Sequence, residues 1–211
     1  MRGLYFVTDR GLCRNRSLTE VVLAAVRGGA SCVQLREKDC ATRFFVEEAN
    51  RLRDILREAR VPLIINDRLD VALAVGADGV HIGQDDMPYD IARRLLGPEA
   101  IIGLSVETWD DVERAQGLDV DYLGVSPIFE TPTKTDTKGS WGIEGLRRVR
   151  AYSRHPLVAI GGLNAANAAD AVMAGADSVA VVSAICAAPD PLAASRQLRG
   201  IIESALAMKS G

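Results

Sequence analysis

The sequence predicts a (β/α)8 barrel, and three observations lead to this fold class. Eight short apolar runs recur along the 211 residues, and each ends in polar or glycine residues. A longer segment follows each run, with apolar residues spaced three and four apart as on one face of a helix. The runs are continuously apolar, which is typical of parallel strands buried on both faces. Eight units of about 26 residues favour a closed barrel, and the pattern leaves an open, doubly wound sheet as the alternative.

The first half of the chain contains four of these units. The runs GLYFV, SCVQL, PLIIN and DGVHI predict strands at 3–7, 31–35, 62–66 and 78–82. The spacing of apolar residues after each run predicts helices at 18–28, 41–59, 68–75 and 88–96. The third helix is the shortest, because strand four follows it closely.

The second half repeats the alternation. The runs AIIGLS, VDYLGV, PLVAI and DSVAVV predict strands at 100–105, 120–125, 156–160 and 177–182. Helices are predicted at 108–116, 143–153, 164–174 and 190–208. The phrases GGAS, VGAD and AGAD, at 28–31, 75–78 and 174–177, place a glycine at the end of a helix just before a strand. The long connection at 126–142 is the exception to these short turns.

Composition indicates one globular enzyme-sized domain over residues 1–211. The chain is 48% hydrophobic and 25% charged, and 25 Lys and Arg against 28 Asp and Glu leave a net charge of −3. Without a basic run, neither nucleic acid nor an anionic membrane is an expected partner. Four cysteines form no CxxC pair, so we expect reduced thiols in a cytoplasmic protein. No secretory signal or membrane span is predicted, and apolar outer helices leave a homodimer open.

Polar residues concentrate where the strands end, which is the rim that carries the active site in barrels of this kind. Asp67 and Asp86 follow neighbouring strands. Two carboxylates suit Mg²⁺, which keeps several waters and usually bridges to substrate phosphates. The alternative is that the two aspartates are helix N-caps.

Cations at the same rim indicate a polyanionic substrate. Arg36 and Lys38 follow strand two, and Lys134 lies in the long connection within a stretch rich in threonine. A guanidinium fork can bind two phosphate oxygens at once. A flexible, solvated loop is the alternative interpretation for the threonine-rich stretch, but long loops in compact domains are often lids.

A second anion site is predicted after strands seven and eight, where barrels often bind phosphate. Gly161 and Gly162 follow strand seven, and Ser183 follows strand eight. Glycine lets backbone N–H groups approach an anion, and a helix predicted to begin near Asn164 would add its partial positive charge. A tight turn is the alternative role for the glycine pair.

The rim lacks a Ser-His-Asp constellation or another strong nucleophile. His81 lies at an interior position of strand four and is interpreted as a pocket-lining or core histidine. The sequence therefore favours catalysis by positioning and electrostatics rather than by a covalent intermediate.

Seven motifs, in order and in register, carry a resemblance to a known family. They are LYFVTDR, QLREKD, LIINDRLDVALAVGADGVHIGQDD, IIGLSV, TPTKTDT, AIGGLN and VVSAI. Together they span about residues 4–185 and resemble thiamine phosphate synthase, a family of (β/α)8 barrels. The resemblance implies a transferase that joins 4-amino-5-hydroxymethyl-2-methylpyrimidine diphosphate to thiazole phosphate, releasing pyrophosphate with the help of Mg²⁺.

The resemblance also implies roles for residues at the matching positions. The pyrimidine diphosphate contacts would be Gln34, Leu35, Arg36, Glu37, Lys38, Asn66, Ser105 and Lys134. Of these, Arg36, Lys38, Ser105 and Lys134 would serve catalysis. The Mg²⁺ ligands would be Asp67 and Asp86. The thiazole phosphate pocket would consist of Thr131, Pro132, Thr133, Gly162, Val182 and Ser183. The implied chemistry is dissociative, so that pyrophosphate leaves before the thiazole nitrogen attacks.

Two departures from the family pattern fall in the long connection. Ser126-Pro127 precedes the threonine-rich stretch, and Glu130 stands where proline is common. The triplet Phe129-Glu130-Thr131 is similar to the related thiazole tautomerase, which binds only the thiazole phosphate. That isomerase and a non-catalytic protein that binds thiamine phosphate remain the alternatives. Neither would need the full diphosphate set.

Overall fold

Eight parallel strands close into a barrel in the order of the sequence in the computed structural model, which describes residues 2–130 and 139–210. The strands are β1 (Gly3–Val7), β2 (Cys32–Leu35), β3 (Leu63–Asn66), β4 (Gly79–Ile82), β5 (Ile101–Val106), β6 (Tyr122–Val125), β7 (Leu157–Ile160) and β8 (Ser178–Val181). Closure is made by β1 and β8, where Tyr5 is paired with Ala180. The predicted (β/α)8 barrel is confirmed, and the open sheet is excluded.

Helices follow the strands and form the outer layer. They are α1 (Leu18–Arg27), α2 (Thr42–Ala59), α3 (Leu69–Val75), α4 (Tyr89–Leu96), α5 (Trp109–Ala115), α6 (Gly142–Tyr152), α7 (Ala168–Met173), α8 (Ser183–Cys186) and α9 (Pro191–Ser210). A short 3-10 helix, Arg10–Cys13, lies between β1 and α1. Within the described ranges, no helix has the length and apolar character needed to cross a membrane.

Two helical predictions differ from the structure. The helix predicted from 164 begins at Ala168, because the Asn167 side chain accepts the Asn164 N–H at 2.8 Å and holds these residues in a turn. The one-turn helix α8 was not predicted, since four residues are too few to display a helical period.

Side chains of the strands divide between two apolar layers. Alternate residues point inward, where Tyr5, Val7, Ile64, Tyr122 and Val158 form the core of the barrel. The other residues of each strand pack against the helices in a larger cluster. Because both faces are buried, the continuous apolar runs of the sequence are accounted for.

At the amino ends of the strands, short turns connect helices to the strands that follow them. Gly76 ends α3 in the left-handed conformation at φ +62°, and Gly175 precedes β8 at φ +120°, as the repeated glycine phrases predict. The aspartate two residues further along each phrase accepts a buried strand N–H. Asp78 accepts from Leu63, and Asp177 from Leu157, both at 2.8 Å. The carboxyl ends of the strands lie at the opposite rim.

Candidate active site

A cavity of about 310 Å³ opens at the carboxyl ends of the strands. Its volume lies in the range of small-molecule sites. Of the residues predicted to contact substrate or metal, ten line it: Gln34, Arg36, Lys38, Asn66, Asp67, Asp86, Ser105, Gly162, Val182 and Ser183. The predicted residues Thr131, Pro132, Thr133 and Lys134 lie outside the described residues. Strands distant in sequence thus contribute to a single site.

The side chains of two predicted contacts do not line the cavity. Leu35 is fully buried in the layer between strands and helices. Glu37 accepts a hydrogen bond from Arg10 Nε at 2.9 Å, which directs its carboxylate toward the 3-10 helix. Contact of either residue with a substrate would therefore have to use the backbone.

An acidic pair forms one wall of the cavity. Asp67 and Asp86 both line the cavity, and Asp86 is near enough to raise the pKa of Asp67. Asp67 has φ +60°, a left-handed conformation that aspartate tolerates better than most residues, and its N–H donates to His81 O at 2.8 Å. Asp86 Oδ2 accepts from Gly83 N at 2.7 Å. Neither carboxylate caps a helix, since α3 and α4 have Arg68 and Pro88 at their N-cap positions.

Electrostatics make the acidic pair a favourable place for a cation. Burial and the adjacent Asp86 raise the pKa of Asp67 to about 6, and Lys38 and Arg36 oppose the rise. Lys38 Nζ lies 3.8 Å from Asp67 Oδ2 and does not neutralise the pair. No cluster of three or more His, Cys, Asp or Glu side chains suited to a metal occurs among the described residues. Two carboxylates alone fit Mg²⁺, which fills its other positions with water and phosphate oxygens.

The raised pKa of Asp67 predicts how stability depends on pH without metal. Folding favours the protonated carboxyl, so ionisation of Asp67 lowers the free energy of unfolding as pH rises from about 4 to about 6. We compare the free energy of unfolding of Asp67→Asn with that of wild type at each pH. We expect the difference in favour of the variant to be about 1–3 kcal/mol larger at pH 7.5 than at pH 4. Urea unfolding in EDTA measures this difference, and equal stability differences at the two pH values would contradict the raised pKa.

A cationic wall stands beside the acidic pair. Thr8 Oγ1 accepts the backbone N–H of Arg36 at 3.0 Å, which fixes the chain where β2 ends. Arg36 is half-buried, and Lys38 is exposed at the cavity. Two cations at the mouth and two carboxylates beside them suit a diphosphate together with a divalent metal.

The phosphate corner lies between the ends of β7 and β8, and we use this name for Gly161, Gly162, Val182 and Ser183. Gly161 and Gly162 have φ of +105° and +66°. A Cβ on Gly161 would lie 2.6 Å from Pro127 Cβ, so the connection after β6 packs directly on the glycine pair. Helix α8 starts at Ser183, whereas α7 starts six residues after Gly162. The helix start nearest this corner therefore belongs to α8, and not to the helix predicted near Asn164.

The connection after β6 enters this corner in a defined conformation. The bond between Ser126 and Pro127 is cis, and Ile128 N donates to Ile160 O at 2.9 Å. Glu130, the departure from the family pattern, is exposed. The ten predicted residues named above line the cavity despite these two departures from the family pattern.

The floor of the cavity is polar, and sequence reasoning missed most of it. Tyr5 and Tyr122 lie in the barrel interior with hydroxyl groups 2.8 Å apart. His81, expected to line the pocket, does so and contacts Tyr122 and Ser105. In the sequence, Tyr5 and Tyr122 belong to the apolar runs that predict strands. The pattern that could have indicated their role is the alternation along β1 and β6, which points both side chains into the barrel.

Comparison with known proteins adds independent findings. A family model described as thiamine monophosphate synthase matches residues 4–185. The chain is 59% identical over 201 residues to thiamine-phosphate synthase from Albidiferax ferrireducens, covering 95% of this chain and 92% of the relative. For the enzyme of the same name from Chloroflexus aurantiacus, identity is 55% over 199 residues, with 94% and 92% covered.

A solved structure agrees with these relatives. Thiamine phosphate pyrophosphorylase from Pyrococcus furiosus superposes with a TM-score of 0.88 and 40% identity, covering 97% of this chain and 96% of that one. These similarities do not favour the isomerase or the non-catalytic binding protein.

Proposed function

The chain belongs to the thiamine monophosphate synthase family, and from this premise we propose how its cavity makes thiamine phosphate. The protein is a transferase that joins 4-amino-5-hydroxymethyl-2-methylpyrimidine diphosphate to thiazole phosphate. The bond between the pyrimidine methylene carbon and the diphosphate oxygen breaks, and pyrophosphate leaves with the electron pair. The thiazole nitrogen then donates its lone pair to that carbon, which forms the carbon–nitrogen bond of thiamine phosphate.

The diphosphate lies against the cationic wall. Arg36 and Lys38 bind its oxygens, and Lys134 supplies a further cation from the connection after β6. Their positive charge stabilises the negative charge that grows on the departing pyrophosphate, which is where electrostatic catalysis acts most strongly. Lys38 can serve both groups, because its Nζ already lies 3.8 Å from Asp67.

Asp67 and Asp86 would hold Mg²⁺, which would supply further positive charge to the diphosphate. The two carboxylates lie where β3 and β4 end and line the same cavity as Arg36 and Lys38. Asp86 is oriented for this task by the Gly83 N–H, which occupies one of its oxygens at 2.7 Å. The left-handed turn at Asp67 brings the second carboxylate to the same point.

The pyrimidine ring lies deeper, between Gln34, Asn66 and Ser105. Gln34 and Asn66 are buried at the ends of β2 and β3, and Ser105 lies across the cavity on β5. Amide and hydroxyl groups can match the amino group and ring nitrogens of an aminopyrimidine. This arrangement aims the methylene carbon toward the thiazole side of the cavity.

The thiazole phosphate binds at the phosphate corner. Backbone N–H groups at Gly162 and Ser183 are suited to its oxygens, and Thr131 to Thr133 complete the pocket from the adjoining connection. Val182, which lines the same corner, offers an apolar contact to the thiazole ring. The reacting nitrogen then faces the pyrimidine methylene carbon, so that proximity contributes to the rate.

No general base is required by this reaction. The thiazole nitrogen attacks as a neutral lone pair, and pyrophosphate leaves as an anion, so neither step removes a proton from a nucleophile. Ser105 Oγ lies 2.8 Å from His81 Nε2 in the cavity, but this reaction uses neither side chain as a nucleophile or a base.

One observation carries the proposal. Residues that follow β2, β3, β4, β7 and β8 bring an acidic pair, a cationic wall and a glycine-lined phosphate corner into one cavity. A site for a single phosphate would need only the last of these. The combination fits a diphosphate substrate, a divalent metal and a second phosphorylated substrate.

Product analysis tests the proposal directly. Purified protein is mixed with the pyrimidine diphosphate, thiazole phosphate and Mg²⁺, and thiamine phosphate and pyrophosphate are followed by mass spectrometry. We expect both products in equal amounts, dependent on Mg²⁺ and abolished by EDTA. Folded protein that forms neither product would contradict the proposal, and the same sample is then assayed for thiazole isomerisation.

A further inference from the structure

Five polar side chains from five strands form one continuous hydrogen-bonded chain under the cavity. Gln34 Nε2 donates to the Tyr5 hydroxyl at 2.9 Å, and the Tyr5 and Tyr122 hydroxyls are 2.8 Å apart. His81 Nδ1 lies 3.0 Å from the Tyr122 hydroxyl, and His81 Nε2 lies 2.8 Å from Ser105 Oγ. We call this series the floor chain. Its two ends, Gln34 and Ser105, are both proposed to contact the pyrimidine diphosphate.

The middle of the floor chain is shielded from water. Tyr5 and Tyr122 are each 1% exposed and pack among apolar side chains such as Val7 and Ile64. Burial raises the pKa of both phenols well above their ordinary value, so both keep their protons. In such surroundings an unmade hydrogen bond is expensive, and each hydroxyl is expected both to accept and to donate.

Backbone packing holds the two inner rings in place. The His81 ring stacks on Tyr122 with centroids 5.5 Å apart and planes 20° from parallel. A Cβ on Gly103 would lie 2.0 Å from the Tyr122 ring, and one on Gly124 would lie 2.8 Å from the His81 ring. Two inward positions of β5 and β6 therefore carry glycine, where a larger residue would displace these rings.

The hydrogen bonds of the floor chain can point in two directions, and the acidity of the hydroxyl groups favours one of them. In the first, Tyr122 donates to His81 Nδ1, and His81 Nε2–H donates to Ser105. In the second, Ser105 donates to His81 Nε2, and His81 Nδ1–H donates to Tyr122. A phenol is a far stronger acid than an aliphatic hydroxyl, so it is the better donor to the basic imidazole nitrogen. Donation by Gln34 to Tyr5 also favours the first direction, because a hydroxyl that accepts becomes a better donor.

We propose that Tyr5, Tyr122 and His81 are positioning residues, and that each donates its hydrogen bond in the direction that leads from Gln34 to Ser105. His81 then carries its proton on Nε2 and donates a hydrogen bond to the oxygen of Ser105, and the Ser105 hydroxyl is left to donate its own hydrogen bond into the cavity. Its acceptor is an oxygen or nitrogen atom of the pyrimidine diphosphate, so this part of the inference rests on the proposed function. The tautomer of His81 does not depend on that function and can be measured in the free protein.

The first arm of the test is the tautomer itself. The chain has two histidines, so ¹⁵N-histidine labelling yields two sets of ring signals, and His81→Asn identifies one of them. His155 Nε2 lies 3.0 Å from the Ala115 carbonyl, which can only accept, and it provides an internal reference for a protonated Nε2. We expect His81 to be neutral with its proton on Nε2. A proton on Nδ1, or on both nitrogens, overturns the proposal.

The second arm is kinetic and uses the synthase reaction. Tyr122→Phe keeps the ring but removes the hydroxyl, and we expect kcat to fall about tenfold, the size of one hydrogen bond, with KM for thiazole phosphate unchanged. Because Tyr122 acts through Ser105, Tyr122→Phe with Ser105→Ala should be no slower than Ser105→Ala alone. Losses that multiply would instead indicate a general structural effect and overturn the proposal.

A matched control separates hydroxyl loss in the floor chain from hydroxyl loss elsewhere. Tyr89 on α4 donates its hydroxyl to Asp119 O at 2.6 Å, outside the cavity. We expect Tyr89→Phe to keep the wild-type kcat. If wild-type protein made no product, the proposed function would fail while the tautomer measurement still decided the floor chain. Wild-type turnover with an Nδ1–H tautomer would leave the function intact and remove this inference.

Discussion

Asp67→Asn is expected to lower the turnover of thiamine phosphate by about 100-fold or more at millimolar Mg²⁺, the scale of losing a group that stabilises transition-state charge. Asparagine keeps the shape of the side chain and tolerates the left-handed backbone at φ +60°. Its neutral oxygen is a weaker ligand than a carboxylate for a hard cation. The variant should therefore also require more Mg²⁺ for half-maximal activity.

Urea unfolding of the same variant in EDTA separates this result from loss of folding, because its stability relative to wild type is expected to rise between pH 4 and pH 7.5. Burial and Asp86 raise the pKa of Asp67, and the amide removes that unfavourable ionisation. Initial rates across an Mg²⁺ series provide the measurement. The matched control is Asp70→Asn, which removes an exposed carboxylate paired with Arg68 at 2.6 Å and should leave the rate unchanged. An unaltered Mg²⁺ dependence in Asp67→Asn would exclude Asp67 as a ligand.

Lys134→Ala is expected to lower kcat by about 100-fold to 1000-fold, because it removes a cation from the departing pyrophosphate. Lys134 lies outside the described residues, so this expectation rests on its place in the TPTKTDT motif and on the charge that the reaction develops. Arg36 and Lys38 would still bind the diphosphate before reaction. The larger loss should therefore fall on kcat rather than on substrate binding.

Binding of thiazole phosphate separates the two possible roles of Lys134. Calorimetric titration should show its affinity in Lys134→Ala within about threefold of wild type, since Lys134 is proposed to act on the leaving diphosphate and not on the thiazole phosphate. The control is Lys209→Ala, at the end of α9 and distant in sequence from every cavity residue. Equal losses in kcat and in thiazole phosphate affinity would assign Lys134 to the phosphate corner and contradict its role at the leaving group.

Much of the rim was predictable, because a parallel barrel brings every strand end to the same edge. Asp67 and Asp86 could be assigned to one site once they were placed after β3 and β4, whatever the details of packing. The glycine pair at 161–162 was predictable for the same reason. These predictions needed only the order of the strands.

Predictions that depended on the direction of a side chain were less reliable. Glu37 belongs to the motif QLREKD, yet Arg10 turns its carboxylate away from the cavity. Leu35 alternates with Gln34 along β2 and therefore packs outward against the helices. Motif membership identifies a segment, whereas alternation and local ion pairs decide which of its side chains reach the substrate.

The fold class, the order of the strands and the rim with the polar residues could be predicted without the structure, because they follow from hydrophobic periodicity and from the residues at strand ends. The folded structure was needed to find that Tyr5, Tyr122 and His81 meet beneath the cavity and that Asp86 lies close enough to Asp67 to raise its pKa. Contacts across a closed barrel depend on the stagger of its strands and on room left by Gly103 and Gly124. No local pattern in the chain encodes that geometry.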